Sequence, residues 1–366
     1  MGDRQALVDV AAARRFWLRN ARIPGCLLEG GLASRADGLV DADILIDADR
    51  IGAIVAPGNA GAGTAAEIDL RAGLVWPCFV DVHTHLDKAH TAPRAPNPDG
   101  RFASALAASR RDGTTLWTVD DVRARMEFSL QAAYVHGTAA IRTHLNCDPE
   151  VNEIAWTAFA AARDDWAGRL TLQGVSLLDI AHFNTGIGEQ AGIMTARHGG
   201  VLGAYIYDFA GLDTALRGLF AVAAKHALDL DLHVDETLDA KANSLARLAA
   251  LTIETGFAGR VVAGHCCSLT TQDETTVART LDAVARAGIS IVSLPMCNLY
   301  LQDRTPGRTP RRRGGTLLHE MGARGIPVAV ASDNTRDAFF AYGDMDGLEV
   351  FREAVRLLHL DHPIGA

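Results

Sequence analysis

Two histidines one residue apart, His83 and His85, close an apolar run in the segment LVWPCFVDVHTHLDKAH, Leu74 to His90. In an extended strand, residues i and i+2 project to the same side, so both imidazoles reach one point just beyond the strand's end. That is the geometry of a pair of metal ligands. Further groups of the same kind follow along the chain: His233 with Glu236 three residues on, then His265, then Asp333. Neutral imidazoles and a carboxylate suit Zn²⁺ or Fe²⁺ and leave a coordination position open for water. Such water is acidic enough to supply hydroxide near neutral pH, and a carboxylate such as Glu236 can carry its proton to a substrate. His265 can orient the nucleophile or polarise a leaving group.

The elements that must position these groups alternate between strand and helix. Strands are expected over 74–85, 139–145, 170–178, 201–209, 228–234, 260–266, 289–296 and 326–332. Helix-like segments fall at 102–112, 119–136, 149–166, 190–198, 213–227, 241–255, 316–323 and 346–358. Thr118 with Asp121 resembles a capping box, and Thr271 with Glu274 is expected to cap a further helix ending near 287. Eight βα units are what a closed parallel (β/α)8 TIM barrel requires. An open doubly wound sheet is weakened as an alternative, because no glycine-rich phosphate fingerprint follows a strand. Barrel chemistry is built at the carboxyl ends of the strands. Strand one ends in His83 and His85, strand five in His233 with Glu236 just beyond, strand six in His265 and strand eight in Asp333.

Ahead of the barrel, residues 1–15 read as a lead-in, and segments 16–28, 43–55 and 67–74 as strands of a small β-sandwich-like unit, with a Gly/Ala-rich loop at 57–66. The expected division is a small β-unit over 1–73 and a barrel over 74–366. Of the other histidines, His136, His182, His198, His226, His319, His359 and His362 are assigned to surface or packing. His144 is placed behind the ligands, and His90 is left open.

The chain has 366 residues, 48% hydrophobic and 22% charged, enough for one large domain or one large and one small. A net charge of −9, with no basic stripe beyond Arg311–Arg313, excludes nucleic acid as an expected partner and favours a small neutral or cationic substrate. Six cysteines without CxxC spacing and without a secretory signal point to a reducing, cytoplasmic setting. No apolar run approaches the roughly 20 residues of a membrane span. Assembly into a homo-oligomer is left open.

Taken together, HTH after an apolar strand, then H-x-x-E, a lone His and S-D-N resemble the amidohydrolase superfamily. Its cytosine deaminase-like branch is the best fit, on FVDVHTHLDKAHT, DLHVDE, GHCCSL, LPMCNLYLQDR with RRRG, and SDNTRDAFFAYGDMD. The resemblance implies one metal held by His83, His85, His233 and Asp333, with Glu236 and His265 as the proton-transfer pair and Asp333 assisting. The lack of a lysine in GAYIYDF, at the end of strand four, argues against a two-metal centre. Where cytosine deaminases read the ring edge with a glutamine, this chain aligns Asp179. A carboxylate only accepts hydrogen bonds, so Asp179 favours a ring edge rich in N–H groups. Asn334 follows the metal Asp, and Phe339 matches an aromatic that covers the ring. Family members continue for several dozen residues past the point corresponding to Ala366, so the C-terminal part of the small unit is expected to be missing. The implied activity is metal-dependent hydrolytic deamination of an aminated heterocycle such as a cytosine-like pyrimidine, purine or pterin, with release of ammonia. The alternatives are action on a triazine or a cyclic amide, or a non-catalytic metal-dependent binding protein, which would have no need of Glu236.

Overall fold

The computed structural model describes residues 14–59 and 66–361. The chain divides into two compact units between Cys78 and Phe79. The lead-in before residue 14, the middle of the expected 57–66 loop and His362 lie outside the described residues.

In the first unit, β1 (Arg15–Pro24) pairs antiparallel with β2 (Leu39–Asp47). β2 pairs with β3 (Arg50–Val55), and β4 (Ala66–Asp69) runs parallel to β1 on its other edge. The segment expected as one strand over 43–55 is a hairpin, because the backbone turns at Ala48 with φ 58°. Ala21, Ile23, Ala42 and Ile44 alternate onto one buried face, the period-2 pattern of a half-covered sheet.

The second unit is the barrel. Its strands are β5 (Phe79–Thr84), β6 (Thr138–Asn146), β7 (Thr171–Asp179), β8 (Val201–Ile206), β9 (Leu230–Val234), β10 (Val261–His265), β11 (Ser290–Ser293) and β12 (Val328–Val330). They lie in chain order, every neighbouring pair parallel. Thr84 bridges to Asp333, and the Asp333 amide donates to the His83 carbonyl at 2.9 Å, so the last strand meets the first. The seam that closes the barrel therefore joins two of the residues singled out for metal binding.

The helices are α1 (Phe102–Leu116), α2 (Val119–Val135), α3 (Asn152–Asp165), α4 (Gly186–Arg197), α5 (Leu212–Lys225), α6 (Ser244–Thr255), α7 (Glu274–Ala287), α8 (Pro295–Leu301), α9 (Leu318–Gly322) and α10 (Gly347–Leu357). Their apolar stripes face the strands. α5 buries Leu212, Ala215, Leu216, Leu219, Phe220 and Ala223, the i, i+3, i+4 spacing of a one-sided helix.

Three local expectations are corrected. Strand one begins at Phe79 rather than Leu74, because Pro77 has no N–H to give a ladder. Strand seven stops at Ser293, and Pro295 opens α8, where a missing N–H costs nothing in the first turn. Asp273, not Thr271, caps α7 by accepting from the Thr276 amide at 3.0 Å, since the Thr271 hydroxyl is committed to the Ser268 carbonyl at 2.7 Å. Thr118 caps α2 through the Asp121 amide as the sequence suggests. Among the described residues no helix is long and apolar enough to cross a membrane.

Candidate active site

The carboxyl ends of β5, β9, β10 and β12 bring His83, His85, His233, His265 and Asp333 together. The Nε2 atoms of His83 and His85 each lie 3.2 Å from that of His233. Asp333 Oδ1 is 3.2 Å from His85 Nε2 and 3.7 Å from His83 Nε2. One donor atom from each of His83, His233, His265 and Asp333 falls within 4.8 Å of the others. All five side chains are buried.

Burial pushes His83 and His233 well below the usual imidazole range, and brings His85 down to about 4. The rings are therefore neutral, the form that ligates a metal. Burial alone would raise Asp333, but the His85 contact and the charges of neighbouring histidines outweigh it and hold the carboxylate ionised. His265 Nε2 and both Asp333 oxygens are buried without hydrogen-bond geometry to a donor or acceptor among the described residues. Unsatisfied buried nitrogens and carboxylate oxygens aimed at one point are costly unless a cation sits there. The donor set fits a divalent metal of the zinc or iron type.

Several of these side chains reach the site only through unusual backbone. Asp235, His265, Cys266 and Asp333 adopt positive φ of 49°, 70°, 51° and 67°. Non-glycine residues in that region cost roughly 1–3 kcal/mol each and are held by surrounding structure. At Asp235 the hold is explicit: its carboxylate accepts from the Ser244 and Leu245 amides at 3.1 and 3.0 Å, capping α6 and fixing the turn that carries Glu236. Gly264 faces His83, and a side chain there would meet His83 Cε1 at 3.0 Å.

Glu236 sits beside the cluster, with an oxygen within 4.8 Å of one from Asp333. Burial and the Asp333 charge raise its pKa well above the ordinary carboxylate value, against the opposing effects of Lys88 and Asn298. Its Oε1 is 3.5 Å from His265 Nδ1 and accepts from Asn298 Nδ2 at 3.1 Å. Asn298 Nδ2 also approaches His265 Nδ1 at 3.0 Å. Sequence reasoning quoted Asn298 inside LPMCNLYLQDR without giving it a place. Its position at the start of α8, one turn past the end of β11, is the signal that would have found it. Asn298→Ala is expected to lower kcat roughly 10- to 100-fold with a much smaller change in KM, the effect of loosening groups that act through their orientation; steady-state ammonia release measures it.

Behind the ligands, the His144 ring lies 4.0 Å from that of His83, and its Nε2 is 3.6 Å from Asp231 Oδ1. Arg142 Nη1 donates to Asp231 Oδ2 at 2.6 Å. One donor atom from each of His83, His144 and Asp231 also falls within 4.8 Å of the others. The guanidinium already balances that carboxylate, so the trio is a poor cation site beside the first.

A cavity of about 470 Å³ adjoins the cluster, lined among others by His85, Lys88, Glu236, Asp333, Asn334 and Phe339. α1, the extra helix between β5 and α2, supplies one wall through Phe102, Leu106 and Arg110. His182, assigned to surface or packing from its sequence context, lines this cavity, 3.7 Å from Asp148 Oδ1. An adjoining cavity of about 560 Å³ shares Arg110, Tyr205 and Glu236 and is lined by Asp179. Asp179 is heavily engaged: Tyr205 and Tyr207 hydroxyls donate to it at 2.9 and 3.0 Å, and the Ala181 amide at 2.9 Å. Asn334 is also committed, donating to Asp337 Oδ2 at 2.7 Å while accepting from the Cys297 thiol. Phe339 lines the cavity with the Lys88 ammonium 4.1 Å from its ring centroid.

Barrel, seam and histidine–aspartate cluster define a metal-dependent hydrolase, and the chain belongs to the amidohydrolase family, whose match covers residues 191–365. It is a hydrolytic deaminase acting on carbon–nitrogen bonds. The pterin deaminase of Rhizobium rhizogenes (strain K84 / ATCC BAA-868) is 50% identical over 354 residues, which are 96% of this chain and 80% of the relative. N-isopropylammelide isopropyl amidohydrolase of Pseudomonas sp. (strain ADP) is 26% identical over 290 residues, 76% of this chain and 68% of the relative. In fold, the chain matches the 5-methylcytosine deaminase from Klebsiella pneumoniae liganded with 5-fluorocytosine, with a TM-score of 0.81 at 22% identity, covering 95% of this chain and 82% of the other.

Proposed function

We propose that this deaminase acts on a pterin, a fused two-ring heterocycle with a 2-amino-4-oxo pyrimidine edge, using one Zn²⁺ or Fe²⁺ per chain. The ring identity rests on the relative that is 50% identical over 96% of the chain. The reaction rests on one observation, the placement of Glu236: a largely buried carboxyl with a raised pKa, 3.5 Å from His265 and at the edge of the metal-ligand cluster.

In this reading His83, His85, His233 and Asp333 would hold the ion, with His265 beside them. When bound, a divalent metal would supply Lewis acidity and make hydroxide available near neutral pH. Glu236 accepts a proton from the attacking water and delivers it to the ring nitrogen beside the amino-bearing carbon, which becomes tetrahedral as the C–O bond forms. Glu236 borders both the cluster and the cavity, so one carboxyl is placed to take the proton and to return it. Glu236 then carries the second proton of the water to the exocyclic nitrogen, the C–N bond breaks, and ammonia leaves an oxo ring behind. His265, positioned by Asn298, and Asp333 arrange the water and the departing amine. Asp179 acts in this scheme through Tyr205 and Tyr207, and Phe339 and Asn334 line the cavity.

Ammonia release by metal-replete protein, measured against pterin, cytosine, guanine and aminotriazines, tests the proposal. Pterin should be converted with the highest kcat/KM. Deamination of another ring with none of pterin would overturn the assignment of the ring while leaving the reaction class in place.

A further inference from the structure

Lys88 is withdrawn from solvent to 6% exposure, yet no carboxylate or carbonyl of the described residues lies within ion-pair or hydrogen-bond reach of its ammonium. Lysines are almost never buried without a partner. Its ammonium lies 4.1 Å from the Phe339 ring centroid, and the carboxyls of Asp87, Glu236 and Asp337 feel its charge from beyond hydrogen-bond distance; neither a cation–π contact nor such longer-range attraction supplies the hydrogen bonds lost with water. The side chain lines the cavity together with His85, Glu236 and Asp333, and its charge is felt by Glu236 and His265. Three donors on a poorly solvated cation therefore face the volume where the substrate must lie.

We infer that Lys88 is a specificity-determining residue that binds substrate, donating a hydrogen bond to a ring oxo group and thereby selecting an amino-oxo heterocycle over the same ring without the oxo or with an amine in its place. The inference rests on the proposed deamination of a pterin and names the substrate atom class that the cavity reads. An ammonium has only donors, so it requires an acceptor. A carbonyl oxygen supplies one, whereas a second amino group presents N–H bonds to a cation and leaves both unpaired. Phe339, 4.1 Å away, packs its ring against the ammonium and limits where it can move.

The test compares kcat/KM for pterin and for 2-aminopteridine, which lacks the oxo group, in parental protein and in Lys88→Met, with metal content measured for both. Parental protein should favour pterin by roughly 10²-fold, since a site built to bond a substrate group rejects the analogue lacking it. In Lys88→Met, the ratio of kcat/KM for pterin to that for 2-aminopteridine should fall by roughly that factor, since any effect of the lost charge on Glu236 is common to both rings and cancels in the ratio. An undiminished preference in a variant that keeps its metal would overturn the inference. Should the variant fold poorly or lose metal, the parental protein still decides: equal kcat/KM for the two rings is incompatible with a read oxo group. If pterin is no substrate at all, the ring assignment has failed separately, and the same oxo-deletion comparison is made on whichever aminated ring is turned over.

Discussion

Glu236→Gln is expected to lower kcat for ammonia release by at least roughly 10²-fold while metal content stays at the parental level. Glutamine keeps the size of the side chain and an oxygen able to accept from Asn298 Nδ2, now at 3.1 Å, so the pocket should keep its shape. What it lacks is a titrating group, and both proton deliveries in the proposed reaction pass through that group. Burial and the charge of Asp333 disfavour the ionised carboxylate. A neutral amide should therefore leave Tm unchanged or higher, the usual trade of stability against activity at a site under electrostatic strain. Turnover, elemental analysis and a thermal melt on the same preparation separate the outcomes. Near-parental turnover would take Glu236 out of proton transfer and leave the mechanism in need of another carrier.

His83→Ala should cost metal and activity together. Parental protein is expected to hold about one equivalent of Zn²⁺ or Fe²⁺ per chain, and the variant less than about a tenth of one after dialysis. His83 lies at the centre of the cluster, with Nε2 3.2 Å from His233 and its ring 4.0 Å from His144. Its carbonyl also accepts the Asp333 amide that closes the barrel. That backbone bond survives the substitution, so a folded barrel with a damaged site is the expected product, visible as retained far-ultraviolet circular dichroism. Parental protein stripped with a chelator should lose activity and regain it on adding back Zn²⁺ or Fe²⁺. A variant with full metal, or a parental protein reproducibly holding two ions, would remove the mononuclear assignment.

Much of this was open to reading in the chain itself. Apolar runs of strand length alternating with amphipathic helices specify a parallel barrel, because each strand must be covered on its outer face and each helix has one face to bury. The same pattern placed His83, His85, His233, His265 and Asp333 at strand ends, where barrel side chains point toward a common mouth. Residue types supplied the chemistry, since few surroundings other than a metal bring several imidazoles and a carboxylate to such positions. Local errors came where one residue overrode a pattern, as at Pro77 and Pro295, whose missing N–H groups ended a strand at one place and opened a helix at the other.

What tertiary structure alone decided concerns groups whose meaning depends on neighbours far away in sequence. Lys88 reads as an ordinary charged residue in HLDKAH until its burial, with no hydrogen bond or close ion pair among the described residues, is seen. Asn298 becomes a positioning group because β11 and α8 bring it to both His265 and Glu236, which are 33 and 62 residues distant. His182 enters the cavity wall because of the short turn after β7. Asp179, which aligns with the ring-reading glutamine, lines the adjoining cavity with its oxygens accepting from Tyr205 and Tyr207, residues of β8 and the loop after it. Composition and periodicity fix which face of an element is buried, because burial of apolar area dominates folding and is nearly blind to direction. Which polar atoms meet inside the mouth depends on register, barrel closure and the left-handed turns at Asp235, His265 and Asp333, and those are set by the packing of the whole barrel.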